Sequence, residues 1–378
     1  MTKDSDARVQ SGQSWDDFCE TLRSAGKVIL RDATPDDAFE RAEGFRYLSR
    51  LTRVALESYI EFADPEFPIL RRPAHETVKI GADNPDNHYQ SAAISGAHEY
   101  RIRGKRNTVH YLGMGTYVGN YGSGGRMGQS GYIEGVDLDI DNDQDNDQNN
   151  DQDNDQDGNF EIILSCKEQP GKNWLPMEPD TSSLIVRQTF QDRKTEVIAD
   201  ITIERIGSDL HPEPITASKV DAGLAAASQY VLGTASLFAD WTENFARHPN
   251  ELRLLDPEIA RAAHGDPNIC YYHGYWEVAE DEALVIETTP PTCDYWNFQL
   301  NNYWMESLDY RYHEIDVNHH GAKVEDDGRV VIVISKDKPT AGNWIDPAGH
   351  VRGTMCLRWI RADEHPKPLC RVVKVADL

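Results

Sequence analysis

The chain of 378 residues carries one short pattern twice, and this repeat constrains the fold more than any other feature of the sequence. Each copy consists of an Asp-Gly pair, a mostly apolar β-type run, an Asn-Trp pair and a second β-type run that ends in arginine. The glycine precedes the tryptophan by 16 residues in both copies. Equal spacing needs equal strand and loop lengths, so the repeat predicts one supersecondary unit used twice. The copies run from Asp157 to Arg187 and from Asp327 to Arg358.

Short β-type runs bounded by glycine and aspartate extend on both sides of each copy and predict antiparallel strands. We expect an α+β chain that is mainly β. It would hold a jelly-roll-like antiparallel β-sandwich built from two related β units, each shielding the apolar face of the other. An N-terminal helical region and a long helix between the β units complete the expected fold. The predicted boundaries are 1–70 for the helical region, 75–207 for the first β unit, 215–248 for the connecting helix and 268–378 for the second β unit.

Three stretches place apolar residues at helical spacing. The first is short, begins with a capping box at Ser14 and Asp17, and is expected to end near Gly26. The second begins at Thr34, which is followed by a proline, and runs up to Asp64-Pro65. The third is the connecting helix between the two β units.

Charge and cysteine content narrow the class of protein. The 64 acidic and 38 basic residues give a net charge of −26, and a surface of this sign repels nucleic-acid phosphates and anionic lipids. We therefore expect a small-molecule substrate or a glycan as partner, and neither a nucleic acid nor a membrane. The sequence is compatible with a monomer or an oligomer. The polar start and the lack of a long apolar stretch predict a cytoplasmic protein. Six scattered cysteines without a CxxC pair predict reduced thiols.

An acidic low-complexity segment, 137–157, carries ten aspartates and no basic residue. We interpret it as a solvated hairpin tip, because Asp327-Gly328 makes the same turn in the other copy without an acidic run. The end of the segment matches the first oxygen positions of an EF-hand loop and leaves a calcium site open, but Leu164 stands where that loop needs a glutamate. The candidate calcium ligands are Asp153, Asp155 and Asp157.

Further motifs accompany the second copy of the repeat: Tyr295-Trp296, Asn301 to Trp304, and Leu308-Asp309-Tyr310. In this combination the chain resembles the bacterial domain of unknown function 1214 (DUF1214) family, over most of 269–362 and more weakly over 84–205. The resemblance implies helices combined with jelly-roll-like β-sandwich domains. It implies no catalytic residue, because the chemistry of the family is unassigned.

Histidines and a carboxylate of the C-terminal half are the candidate catalytic groups. A histidine near its unperturbed pKa of about 6.5 can exchange a proton at neutral pH. His350 follows the second Asn-Trp loop, and loops beside a rigid sheet commonly carry catalytic groups. Replacing His320 or His350 should then reduce turnover without lowering the melting temperature. The paired histidines are also compatible with a site for a divalent transition metal, although His319 and His320 would point to opposite faces of a strand. No other cofactor is predicted. The candidate catalytic residues are His320, His350, His313 and Glu314.

Aromatic residues and the two repeat arginines are the candidate substrate-binding groups. Tyrosine and tryptophan suit a concave site for a polyhydroxylated or aromatic molecule, with sheet packing as the alternative. An inward-facing arginine holds a substrate carboxylate or forms a structural ion pair with a neighbouring strand. The Asn-Trp pairs are ligand contacts or anchors of a loop. The candidates are Arg358, Arg187, Trp344, Trp174, Tyr310, Trp304 and Trp296.

These residues favour an enzyme of non-redox type, a hydrolase, lyase or isomerase, acting on a small polar, polyhydroxylated or aromatic molecule. We expect its site in the C-terminal β half and the glycine-rich stretch 113–131 as a mobile cover. The alternative is a non-catalytic protein that binds a glycan or another small ligand. A histidine and a carboxylate in one pocket would favour the enzyme, whereas an exposed aromatic row would favour the binding protein.

Overall fold

The computed structural model of the chain describes residues 2–122, 124–140, 158–207 and 211–378. The helices in these ranges are α1 (Thr2–Ser11), α2 (Gln13–Ile29), α3 (Ala38–Leu56), α4 (Ala217–Phe245) and α5 (Pro257–Ala262). The strands before α4 are β1 (Asn87–Ala93), β2 (Tyr100–Lys105), β3 (Tyr111–Val118), β4 (Gly128–Glu134), β5 (Asn159–Ser165), β6 (Trp174–Pro176), β7 (Thr181–Thr189) and β8 (Asp200–Arg205). The strands after α4 are β9 (Arg253–Leu254), β10 (Ile269–Glu277), β11 (Glu282–Thr288), β12 (Tyr295–Leu300), β13 (Asp316–Asn318), β14 (Val330–Ile334), β15 (Asn343–Ile345), β16 (Arg352–Ile360) and β17 (Leu369–Lys374).

The two β regions have the same strand order. The first forms the sheets β1-β7-β3-β4 and β6-β5-β2-β8, and the second forms β10-β16-β12-β13, with β9 at one edge, and β15-β14-β11-β17. Neighbours are antiparallel except for β5–β6 and β14–β15, which are short parallel pairs. The registers agree too, because Ile163 pairs with Trp174 and Val333 with Trp344. The mainly β class and the internal repeat are therefore confirmed.

Each unit contains a complete sandwich, whereas we expected the two units to shield each other within one. In the first unit, Ile102 and Ile162 of one sheet share a core with Met114 and Val186 of the other. The second unit has a separate core of the same kind. The physical reason is that the two sheets of each unit have apolar faces that bury each other without help from the other unit.

The N-terminal helices differ from the prediction at their ends. Thr34 is not an N-cap, because its hydroxyl donates to the carbonyl of Ile29, 2.8 Å away, and so closes the end of α2. The N-cap of α3 is Asp37, whose carboxylate accepts the backbone N–H of Glu40 at 2.9 Å. Helix α2 also continues past Gly26 because Val28 and Ile29 belong to its buried face.

The second predicted helix ends at Leu56 and passes into one π-helical turn, Glu57–Glu61, before the predicted end at Asp64. The long helix between the β units is confirmed as α4. The hydroxyl of Thr216 caps it by accepting the backbone N–H of Lys219. Helices α2, α3 and α4 form a shared apolar core with Trp304 of the second unit.

None of the helices within the described ranges is long and apolar enough to cross a membrane. Residues 141–157 lie outside these ranges, so the calcium candidates Asp153, Asp155 and Asp157 lie outside them as well. Where the structure describes the chain, no group of three or more His, Cys, Asp or Glu side chains is arranged to hold a metal ion. The six cysteines are free thiols.

Candidate functional site

A cavity of about 340 Å³ lies between the two sandwiches. Its β walls are the outward faces of two sheets, because side chains alternate along a strand. In β7, Val186 points into the first core and Arg187 lines the cavity. In β16, Leu357 points into the second core and Arg358 lines the cavity. Aromatic side chains from the helices and from the loop after β3 complete the wall, among them Tyr59, Tyr121, Tyr230, Phe238 and Trp241.

The two sheets contribute the same pair of side chains at the same register. Tyr89 of β1 pairs with Arg187 of β7, and Tyr271 of β10 pairs with Arg358 of β16. All four residues line the cavity. Since β1 and β7 correspond to β10 and β16 in the repeat, the cavity has an approximate internal two-fold symmetry.

The segments that lead into β1 and β10 are equivalent as well. Ala82 and His264 both have a left-handed backbone, with φ of 58° and 60°. Arg187 donates from Nη2 to the carbonyl oxygen of His264, and Arg358 donates from Nη2 to the carbonyl oxygen of Ala82. Each arginine therefore binds the segment that leads into β1 or β10 of the other unit. This exchange ties the two units together at the cavity.

The two arginines are buried, with 8% of Arg187 and 4% of Arg358 exposed. Arg187 also donates from Nη1 to the hydroxyl of Tyr117 at 3.0 Å, and Arg358 donates from Nη1 to Oε1 of Gln299 at 2.6 Å. Within the described residues, every hydrogen-bond partner of the two guanidinium groups is a neutral oxygen. Among the described residues, neither arginine therefore forms the structural ion pair that was the alternative to substrate binding.

Polar atoms of the wall have unused hydrogen-bonding capacity. The hydroxyls of Tyr89 and Tyr271 accept the backbone N–H groups of Asn84 and Asp266, at 3.0 and 3.1 Å, which leaves each O–H free to donate. Nδ1 of His273 is buried and has no hydrogen-bond partner among the described residues. A buried polar atom left unpaired costs about 1–3 kcal/mol. The wall is therefore suited to bind polar atoms of a guest molecule.

Burial sets the protonation of the cavity. It lowers the pKa of His264 to about 4 and that of His273 to about 3, so both imidazoles are neutral at pH 7. Burial raises the pKa of the hydroxyls of Tyr89 and Tyr271, and the positive charges of both arginines oppose this rise at each hydroxyl. Arg71 also lines the cavity, and its Nη1 is buried without a hydrogen-bond partner among the described residues. The site thus combines the positive charges of three arginines with neutral donors, a combination that favours an anion.

One carboxylate also lines the cavity. Asp83 accepts the backbone N–H of Ser307 at 3.1 Å and its hydroxyl at 2.9 Å. Burial raises the pKa of Asp83, and among the charged neighbours that oppose this rise Lys79 acts more strongly than Arg358. Lys79 is itself buried and donates from Nζ to the carbonyl of Ser307 at 2.6 Å. The charge of Asp83 is therefore balanced chiefly by Lys79.

The residues predicted to be catalytic do not line this cavity. Nδ1 of His313 lies 2.8 Å from a carboxylate oxygen of Asp346, and Glu314 forms an exposed ion pair with a lysine. His320 is exposed in the turn after β13, where Nε2 lies 3.8 Å from a carboxylate oxygen of Asp192 in the first unit. Because His320 follows the strand, the expected alternation of faces does not apply to it.

His350 is buried against α3, where its Nδ1 lies 3.1 Å from Oε1 of Glu40. Replacing His350 with alanine should lower the free energy of unfolding by about 2–3 kcal/mol, because the Glu40 carboxylate would stay buried without its partner. This differs from the sequence-based expectation of an unchanged melting temperature. His320→Ala is the exposed control and should change stability by less than about 0.5 kcal/mol. Urea denaturation measures both, and equal stability of the two variants would contradict the structural role of His350.

The predicted substrate-binding residues divide into two groups. Arg187 and Arg358 line the cavity, whereas the tyrosine and the four tryptophans of that prediction do not. Trp296 lies in the core of the second sandwich and Trp304 lies against the helices, with 2% and 0% exposed. Tyr310 packs under the ammonium group of Lys79, at 4.5 Å from its ring centre.

Trp174 and Trp344 occupy equivalent places in the two sandwiches. The asparagine before each tryptophan donates from its side-chain amide to a main-chain carbonyl, at 2.8 and 2.9 Å. The indole N–H groups donate to the hydroxyl of Ser165 at 3.2 Å and to the carbonyl of Ser335 at 2.9 Å. These contacts match the interpretation of the Asn-Trp pairs as loop anchors.

The glycine-rich stretch lies largely in β3 and β4, and the connection between them packs on α4. A Cβ atom on Gly122 would lie 2.2 Å from the carbonyl oxygen of Gln229, and one on Gly233 would lie 2.0 Å from that of Tyr121. Only glycine permits this approach of loop to helix. The approach places Tyr121 in the cavity wall. That the connection between β3 and β4 moves to cover the site stays a prediction.

Two segments of the chain, 132–189 and 279–364, match the sequence model of the family described as "Protein of unknown function (DUF1214)". Each segment holds one copy of the repeat. A crystal structure of an uncharacterized protein from Burkholderia cenocepacia has 48% sequence identity and a TM-score of 0.93, over 98% of this chain and 99% of that chain. The chain belongs to the DUF1214 family.

The family membership confirms the resemblance that the motifs indicated, in both halves of the chain. A crystal structure from Vibrio parahaemolyticus covers 94% of this chain and 100% of that chain at 10% identity, with a TM-score of 0.48. None of the curated proteins matches the chain significantly.

Sequence reasoning found the two arginines but missed their register partners, Tyr89 and Tyr271. It also missed His273, which lines the cavity and whose Nδ1 has no hydrogen-bond partner among the described residues. The pairing of β1 with β7 and of β10 with β16 aligns the two tyrosines. The spacing of the repeat could not show this, because 98 residues separate Tyr89 from Arg187 and 87 residues separate Tyr271 from Arg358.

Proposed function

We propose that the protein binds a small organic anion in the cavity between the sandwiches, with Arg187 and Arg358 as the groups that hold it. The observation that carries this proposal is two buried guanidinium groups lining one cavity, with only neutral oxygens as hydrogen-bond partners among the described residues. A buried charge is costly unless an opposite charge compensates it. A carboxylate supplies that charge and fits the guanidinium group in a bidentate pair.

The other wall of the cavity suits an apolar body. The ring centres of Tyr121 and Phe238 are 5.4 Å apart, and those of Phe238 and Trp241 are 5.8 Å apart. Such a wall gains free energy from contact with hydrocarbon or an aromatic ring and gains none from a bare inorganic ion. An organic acid therefore fits better than free phosphate.

This function is the small-ligand form of the binding alternative. It has better support than catalysis by His313, His320 or His350, because none of these residues lines the cavity. It also has better support than glycan binding, because Trp296 and Trp304 are buried and offer no exposed face for a sugar.

A non-redox reaction on the bound anion is the second candidate, and one observation favours it. His273 lines the cavity, and its Nδ1 has no partner in the part of the chain that the structure describes, while its Nε2 lies 3.8 Å from the sulfur of buried Cys356. A neutral imidazole can accept a proton from a bound molecule. Conversion of the bound anion by the native chain, lost in His273→Phe with binding retained, would support this candidate over simple binding.

The binding test measures the melting temperature of the full chain with a panel of aliphatic and aromatic carboxylates and with inorganic phosphate. A ligand at about 100 times its Kd should stabilise the native chain by about 2.7 kcal/mol. Arg358→Met removes the charge and should abolish this gain. Arg103→Met is the control, because Arg103 is an exposed residue of β2 in surface ion pairs.

Two results would contradict the proposal. One is a native chain that no carboxylate of the panel stabilises. The other is a folded Arg358→Met variant that keeps the full gain. Stabilisation by phosphate with equal strength would argue against an organic ligand.

A further inference from the structure

We infer that the ligand of this cavity carries two anionic groups, one for each half of the internal two-fold arrangement, joined by an apolar spacer. The inference rests on the proposed function and names the class of ligand, a dicarboxylate. It is carried by two equivalent sets in the wall of one cavity: Tyr89 with Arg358, both bound by the loop before β1, and Tyr271 with Arg187, both bound by the loop before β10.

Each half offers two kinds of donor to one carboxylate. It supplies a buried guanidinium group and a tyrosine O–H that has no acceptor among the described residues. In each half the loop that ends in β1 or β10 fixes these groups in the same way. Its N–H holds the tyrosine hydroxyl, and its carbonyl, from Ala82 or His264, holds the arginine of the other unit. Groups held on both sides are preorganised for an anion.

The two halves act on the same space. The guanidinium charges of Arg187 and Arg358 both lower the pKa of the Tyr89 hydroxyl and of the Tyr271 hydroxyl, against the larger rise caused by burial. Each hydroxyl therefore lies within electrostatic reach of both arginines. Asp266 acts on Arg187 through its charge, and Asp83 acts on Arg358 in the same way, but neither carboxylate is hydrogen-bonded to a guanidinium group among the described residues. A dicarboxylate would give both arginines a direct charged partner, whereas a single carboxylate would give one to only one of them.

The space between the halves is apolar on the side of α4. Phe238 and Trp241 of that helix pack with Tyr121 and Tyr271 in one cluster. A cavity of about 340 Å³ lies at the small end of the range for organic ligands, and far exceeds the needs of one carboxylate. The spacer is therefore a short hydrocarbon chain or a single aromatic ring.

The experiment compares each diacid with its own monomethyl ester by isothermal titration calorimetry on the full chain. The probes are succinate, glutarate, adipate, pimelate, suberate and terephthalate. The ester keeps the length and the spacer but loses one charge. We expect the best diacid to bind about tenfold to a hundredfold more tightly than its monoester, since one charged hydrogen-bonded contact is lost.

Tyrosine variants test the two halves separately, and they avoid removing an arginine that also joins the units. Tyr89→Phe and Tyr271→Phe should each weaken binding of the diacid about tenfold. Each should weaken binding of the monoester by no more than about twofold, because a single carboxylate can use the intact half. Tyr312→Phe is the control, since Tyr312 is 78% exposed and lies outside the cavity wall.

The results separate this inference from the function on which it rests. Two results would contradict a dianionic ligand and leave a site for a single anion. One is equal affinity for diacid and monoester, and the other is diacid binding that only one of the two tyrosine variants weakens. Absence of binding by every diacid and every monoester would overturn both the dianion and the proposed function.

Discussion

Replacing Arg50 with methionine should lower the free energy of unfolding by about 3–5 kcal/mol. Arg50 of α3 is buried, and its Nη1 lies 2.6 Å from Oε1 of Glu306, whose side chain is fully buried. The other oxygen of Glu306 accepts from the amide of Asn302 at 2.9 Å. Methionine fills a similar volume but leaves the carboxylate without its charge partner, so the loss exceeds that of a surface ion pair.

The pH dependence of this variant follows from the same carboxyl. Burial raises the pKa of Glu306, and the charge of Arg50 opposes the rise. Without Arg50 the folded pKa rises further above the unfolded value of about 4.3. A carboxyl shifted in this direction contributes most stability below its unfolded pKa and loses that contribution as the pH rises. The deficit of Arg50→Met should therefore be smaller at about pH 5 than at about pH 8.

Denaturant unfolding at the two pH values measures both effects. Arg46→Met is the control on the same helix, because Arg46 is 45% exposed and pairs with Glu43 at 3.0 Å. We expect it to cost less than about 1 kcal/mol. Adding Glu306→Gln to Arg50→Met should recover part of the loss. Equal small losses for Arg46→Met and Arg50→Met would show that the buried pair does not stabilise the junction of α3 with the second unit.

The internal repeat could be predicted from the sequence because its signals are local. An Asp-Gly turn, a strand and an Asn-Trp pair fix strand and loop lengths, and the parallel registers of Trp174 and Trp344 follow from these lengths. The separate closure of each sandwich could not be read in this way. Strand lengths do not say whether an apolar face packs against its own unit or against the other.

The start of α3 shows how a local signal can mislead. Thr34 followed by proline fits a helix N-cap as well as it fits the end of a preceding helix. The packing of α2 decides between these, since the hydroxyl of Thr34 donates to the carbonyls of Ile29 and Arg31 there. Asp37, three residues on, then caps α3.

The candidate site shows a similar division. Arg187 and Arg358 were predicted because they belong to the repeated motif. Their partners in the cavity come from the first strand of each unit, which is far away in sequence. His313 and Glu314 are candidates because they are adjacent in sequence, yet their side chains have different partners at the surface, Asp346 for His313 and Lys338 for Glu314. Nearness in sequence is a poor guide where side chains of neighbouring residues face apart.

The second large effect concerns Trp304, which the sequence placed among the substrate-binding residues. Trp304→Ala should lower the free energy of unfolding by about 3–5 kcal/mol, the usual cost of removing a buried tryptophan. Its indole fills the space beside Gly44 of α3, where an added Cβ would lie 2.8 Å from the ring. It also stacks on Tyr47 at 6.4 Å and donates from Nε1 to the carbonyl of Glu40 at 3.3 Å.

Trp344→Ala is the matched control for this prediction. Trp344 is a candidate for the same role, but it is half-buried in the middle of β15, beside Val333 of β14, and lies under the ammonium group of Lys338 at 5.0 Å. We expect a loss of no more than about 1–2 kcal/mol, because removing it opens no closed cavity. Denaturant unfolding and titration with the best dicarboxylate should be run on both variants. If Trp304→Ala keeps native stability and loses ligand affinity, then the indole binds the ligand and the packing role is wrong. If it unfolds readily but binds the ligand normally when folded, then Trp304 joins the helices to the second sandwich and takes no direct part in the site.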